Sequence, residues 1–244
     1  MKTLKRILAC AGIITVSLAC NSCLNDDNAY SLDKVWYSMA TVVPLEDTPA
    51  YYLRLDGGET LWPAASAIPW YVPGEQHRAL ALYTLLSDTY YGFDHAAKVH
   101  DLRDVLTKPV AEDRGEENDA HYGNDPVKIK DLWIGDGYLN VIFGFNYGGS
   151  VKHFINLVKR DGTDTPDVLE FRHNAYQDPA HVWSTGIVSF DLSSLATDGE
   201  ERKLTVRVKT FDGDRDYEVT WQPAGGEEEK PGTELPADGF AEVI

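Results

Sequence analysis

Residues 138–149 read YLNVIFGFNYGG. Leu139, Val141, Phe143 and Phe145 fall on one side of an extended chain, and Asn140, Gly144 and Asn146 fall on the other. Apolar residues two apart mark a half-buried antiparallel strand, because an amphipathic helix would space them three and four apart. The same period returns downstream in KLTVRVK, where Leu204, Val206 and Val208 point inward and Thr205, Arg207 and Lys209 outward. It returns again at Tyr217, Val219 and Trp221. Val127–Ile134, His153–Val158, Val168–His173 and Val182–Asp191 complete seven strands within residues 127–222. That number and spacing predict an Ig-like, seven-stranded antiparallel β-sandwich, here without a disulfide.

Working upstream, residues 35–110 form a second block rich in β-branched and aromatic residues. Its strands are expected at Val35–Val43, on either side of the turn Asp56-Gly57-Gly58, at His77–Asp88 and at Ala96–Leu106, with a helix over Leu102–Leu106 as the rival for the last. Five strands in so short a block suggest an OB-like five-stranded barrel. The fold class is therefore all-β. Residues 111–126 carry charge, glycine and proline without an apolar period and are expected to be a linker. Residues 223–244 hold six acids against one lysine and are expected to be an acidic disordered tail.

The amino-terminal end has a different chemistry. Lys2 to Arg6 is basic, and the apolar run Ile7–Leu18 is too short for a bilayer, which needs about 20 residues. Residues 1–22 thus read as a cleavable signal peptide. The three cysteines, Cys10, Cys20 and Cys23, all lie at this end. Cleavage before Cys23 would leave a single thiol and no intramolecular disulfide. A lone cysteine after a short apolar segment resembles the acceptor of bacterial lipoproteins. Small residues precede both candidates, Ala19 before Cys20 and Ser22 before Cys23. Cys23 is the chosen lipidation site because the run Asn25-Asp26-Asp27-Asn28 follows it, resembling a lipoprotein export tag. Residues 23–34 would be an acidic tether, and the protein is expected on the outer membrane, surface-exposed, as a monomer.

Net charge is −17, and loss of Lys2, Lys5 and Arg6 with the signal would make it −20. Such a field repels a phosphate backbone, so nucleic acid is not expected as a partner. No nucleophile elbow, zinc-protease helix, phosphate loop or dinucleotide fingerprint occurs, and no cofactor or metal is expected. Asp212, Asp214 and Asp216 imitate half a calcium loop, but Tyr217 and Pro223 stand where glycine and an acid are required. A hairpin turn is the expectation there. Trp36, Trp62, Trp133, Trp183 and Trp221 sit in or beside strands and read as core. Trp70, in Ile68-Pro69-Trp70-Tyr71-Val72-Pro73, is the candidate exposed contact. Arg172, His173, Asn174 and Tyr176 form a polar and aromatic cluster that is either a ligand contact or a turn anchor.

The strings YSLDKVWYSMATV, YYLRLDGGETLWPAAS, GNDPVKIKDLWIGDGYLNVIFGFNYGG, FRHNAY and VSFDL resemble the NigD-like lipoproteins. The resemblance runs from about Cys23 to Trp221. It implies an OB domain followed by a β-sandwich behind a lipoprotein signal, and a link to bacteriocin-type gene clusters, without catalytic residues to carry over. The expected function is a non-enzymatic envelope module binding a protein or glycan at the cell surface. The alternatives are a hydrolase or lyase acting on extracellular polymer, through acids near FRHNAY or an interdomain cleft, and a structural or immunity component.

Overall fold

The computed structural model describes residues 32–160, 167–195, 200–222 and 243–244. The expected signal peptide, Cys23, and most of the tether and acidic tail lie outside them.

Five strands build the first domain: β1 (Trp36–Pro44), β2 (Tyr51–Leu55), β3 (Thr60–Ser66), β4 (His77–Tyr90) and β5 (Phe93–Pro109). β1 pairs antiparallel with β2 and β4, β2 with β3, and β4 with β5. A parallel pairing of β3 with β5 closes the ring. This is the five-stranded OB barrel, filled by side chains such as Val42, Leu53, Leu61 and Val99. Leu102–Leu106 is strand, not helix, and Leu102–Val105 pair with β4.

Residues 111–126, expected as a linker, are packed. A 3-10 turn, Gly115–Glu117, leads into α1 (Asn118–Tyr122), which buries Asn118 and Tyr122. The Tyr122 hydroxyl donates to the carbonyl of Glu112 at 2.9 Å.

The seven expected sandwich strands are all present: β6 (Lys128–Gly135), β7 (Tyr138–Tyr147), β8 (Phe154–Lys159), β9 (Val168–Asn174), β10 (Val182–Asp191), β11 (Arg202–Thr210) and β12 (Gly213–Trp221). One layer has the order β12-β11-β9-β8, and the other contains β10-β7-β6. Within the first layer β9 and β11 run parallel, because β10 crosses to the opposite layer between them. The inner faces meet in a core of Val141, Phe143, Phe145, Leu157, Phe171, Phe190 and Val206. The outer edge of β8 is covered. Ala111 brackets it through Leu157 and Lys159, and Val243–Ile244, at the end of the expected disordered tail, bond to His153 and Ile155.

The two domains share a strand. β5 leaves the barrel at Leu106 and pairs parallel with Val188–Asp191 of β10, so eight strands form one continuous sheet. Met39, Leu80, Val105, Ile142 and Ile187 make an apolar cluster across the junction, flanked by Tyr37 and Trp133. Beside it, Asp136 and Gly137 turn β6 into β7 with φ of 50° and 79°. The Asp136 carboxylate thereby reaches the barrel, accepting from Arg54 Nε and the Thr41 hydroxyl. Fully buried Arg78 donates to Asp56 and Thr41, and Trp133 Nε1 donates to the other Asp56 oxygen at 2.7 Å. Gly135 lets the domains come this close, since a Cβ there would lie 2.1 Å from Asp56 Cγ. These side chains pack the junction between the β6–β7 turn and the barrel.

Candidate functional site

The loop after β3 presents Trp70. Ser66 Oγ accepts from the amide of Ile68, and the Tyr71 amide donates to the Ile68 carbonyl at 3.0 Å, closing a turn with Pro69 and Trp70 at its corners. Ile68 and Tyr71 both pack on the barrel core, which fixes the two feet of the turn. The Tyr71 hydroxyl donates to Asp104 at 3.0 Å and meets His77 Nε2 at 3.0 Å. Burial, and then the Asp104 charge, push the Tyr71 phenol well above its ordinary value, so it stays a donor. With its feet held, the turn thrusts Trp70 into solvent at 75% exposure.

The same loop borders a groove of about 240 Å³. Pro49, Ala50, Tyr51, Trp62 and Pro63 line it together with Pro69, Tyr71 and Val72, the loop neighbours of Trp70, and none of its lining residues is charged. Tyr51 and Tyr71 meet edge to face at 5.4 Å, and Trp62 is backed by Phe93 at 5.2 Å. The rings are held rigid before any ligand arrives. β2, β3 and the loop between β1 and β2 are also the face through which OB barrels commonly bind.

The FRHNAY cluster is built differently. Arg172 donates to Glu170 on its own strand and to Asp119 on α1, which ties the packed connector to the sandwich. Burial alone would lower the guanidinium pKa, and these two carboxylates together raise it instead. His173 is buried, with Nε2 at 2.8 Å from Nδ1 of fully buried His153, whose Nε2 meets Asp178 at 3.2 Å. Burial, then the neighbouring His153, drive the His173 pKa down to about 4. Asn174 Oδ1 caps the amide of Tyr176 at 2.9 Å, and Tyr176 is half exposed. Arg172, His173 and Asn174 are thus engaged as anchors, and Tyr176 stands apart from the Trp70 groove on the other domain.

Asp212, Asp214 and Asp216 line a hairpin in which each faces a cation: Arg215, Lys209 and Arg207 respectively. Among the described residues no group of three His, Cys, Asp or Glu side chains could hold a metal ion, and no helix is long and apolar enough to cross a membrane. His95 and His100 serve separate partners, Asp88 and Glu59 for the first and Thr84 for the second. Sequence reasoning missed two features. The His173–His153–Asp178 chain of contacts joins His153 to residues 20 and 25 further along the sequence, with no motif to mark it. Trp183, expected in the core, is 49% exposed.

The NigD-like N-terminal OB domain matches residues 39–105, and the NigD-like C-terminal β-sandwich domain matches residues 109–221. The chain belongs to the NigD-like family. The NigD-like sandwich match takes in the packed connector 111–126. Solved structures agree with this architecture. A protein of Parabacteroides distasonis provisionally named toxin-related is 45% identical, with a TM-score of 0.72 over 78% of this chain and 94% of that one. A protein of unknown function from Bacteroides vulgatus is 29% identical, with a TM-score of 0.72 over 86% of this chain and 100% of that one. A NigD-like immunity protein of Bacteroides caccae, 21% identical with a TM-score of 0.61 over 79% and 100% of the two chains, shares the fold. No curated protein matches.

Proposed function

We propose that this NigD-like chain is a non-catalytic lipoprotein, anchored through Cys23 to the outer membrane and exposed at the cell surface, whose OB face docks an extended, uncharged segment of a partner protein. The aromatic and proline-lined groove bordered by the loop that carries Trp70 supports the reading. Its uncharged lining suits an apolar or proline-containing strand, the kind of segment that aromatic grooves accept at low entropic cost. A protein partner also fits the names toxin-related and immunity given to two structural neighbours and the bacteriocin association of the family. The filled domain junction and the ion-paired FRHNAY cluster favour binding over hydrolysis.

Two substitutions test the two halves. Cys23→Ala abolishes incorporation of labelled fatty acid and releases the protein from membranes; labelling that persists moves the acceptor to Cys20. A photo-crosslinker placed at Val72 in cells captures a discrete envelope protein, and Trp70→Ala reduces that adduct by at least about tenfold, as expected for an aromatic hot spot. An adduct indifferent to Trp70→Ala, or none, overturns the docking assignment.

A further inference from the structure

Four exposed large apolar residues, Tyr176, Val182, Trp183 and Phe211, lie at or next to strand termini at one end of the sandwich, on the domain that does not hold the OB groove. There β6 and β10 begin, β11 ends and β12 begins. The Val127 amide donates to the Lys209 carbonyl at 3.0 Å, which fixes the start of β6 against the end of β11. The Thr210 hydroxyl donates to the Gly213 carbonyl at 2.6 Å and accepts from the Asp212 amide, which fixes the turn carrying Phe211. Trp183 lies flat over Gly144, where a Cβ would meet its ring at 2.3 Å. Its ring centroid is 5.7 Å from that of Phe211, with the two planes tilted by 49°, and both rings are about half exposed, 49% and 48%.

A cavity of about 240 Å³ opens beside Phe211, with Tyr217 on its wall. Lys128 and Arg215 reach its rim against one acid, Asp212, which lies 3.7 Å from Arg215. In a chain of net charge −17 this is a locally cationic spot. Exposed ring faces accept the apolar face of a pyranose, and a guanidinium and an ammonium at the rim suit a carboxylate or sulfate on the same sugar. We infer that the cavity walled by Phe211, Lys128 and Arg215, with the Trp183 ring against Phe211, is a binding site for an acidic saccharide, separate from the OB docking face and independent of it.

Calorimetric titration of the full chain with tetragalacturonate, whose anions are all carboxylates, and with a carrageenan-derived tetrasaccharide, whose anions are all sulfates, separates the carboxylate and sulfate sources of the anion. At least one of them binds, more weakly as salt rises because the rim charges are exposed. Phe211→Ala and Arg215→Gln, both at exposed positions whose loss leaves the core intact, each weaken that binding by about tenfold or more. Trp70→Ala leaves it unchanged, so this site and the OB face stand or fall separately. Absence of binding by both oligosaccharides, equal binding of a neutral galactose tetramer, or affinity that survives either substitution overturns the inference.

Discussion

Arg78 shows how much a single buried side chain can fix. Its guanidinium is fully buried, with Asp56 as its hydrogen-bonded carboxylate and Asp136 farther off at 3.9 Å. Removing the bonded member of a buried pair costs roughly 3–5 kcal/mol, and Asp136 offsets only part of that at its distance. Asp56→Ala should therefore lower stability in urea by about 3 kcal/mol or more, and it also strands the Trp133 indole N–H. A loss below about 1 kcal/mol would mean that water enters the junction. His173 gives a second residue-level expectation. Its folded pKa of about 4 lies below the unfolded value of about 6.5, so the unfolded chain binds more protons between those limits. Stability from this group is complete above pH 6.5 and falls as pH drops toward 4, by roughly 3 kcal/mol in total. Denaturant midpoints measured across this window should show the decline in the native chain and a flatter profile in His173→Asn.

At the scale of elements, β7 shows what alternation reveals and what it hides. Leu139, Val141, Phe143 and Phe145 face the sandwich core as their spacing requires. The opposite face, expected to be polar and wet, is buried from Asn140 through Gly144. Ile142, which interrupts its polar row, is the sign that a second body covers this face. Asn140 is tolerated there because the Ser189 hydroxyl donates to it at 2.6 Å. Strand positions were legible because the period of two is a local property. The cover on β7 was not, because it comes from Met39 and Leu80, which precede Ile142 by 103 and 62 residues in the chain. The same limit applies to the candidate site. Trp70 was legible from its prolines and turn, whereas Trp183 shares the face of β10 that holds Ile187, opposite Val188 and Phe190, and that face is covered at Ile187 but open at Trp183. The 111–126 connector lacks a period because its contacts are side-chain hydrogen bonds and ion pairs, not an apolar stripe. Ile187→Ala on β10 tests the covered face directly: truncation in the junction cluster should cost about 2–4 kcal/mol in urea, whereas a surface position would lose less than about 0.5 kcal/mol.

For the whole molecule the consequence is mechanical. Two domains joined by a flexible linker unfold separately, each with its own midpoint. Here β5 belongs to both, the junction cluster draws from β1, β4, β5, β7 and β10, and Asp136 of the sandwich is bonded to Arg54 and Thr41 of the barrel. Separating them would expose Met39, Leu80, Ile142 and Ile187 together and strip the Trp133 indole from Asp56. The expectation is one calorimetric transition whose van't Hoff and calorimetric enthalpies agree. Ile187→Ala should then lower that single transition as a whole, by about 2–4 °C for each kcal/mol lost, instead of splitting off a lower one. Two resolved transitions in the native chain would contradict the shared strand as a coupling device. A single transition has a functional corollary: the OB groove and the aromatic end of the sandwich are held at fixed separation and orientation, so occupants of the two sites are presented to each other in one geometry.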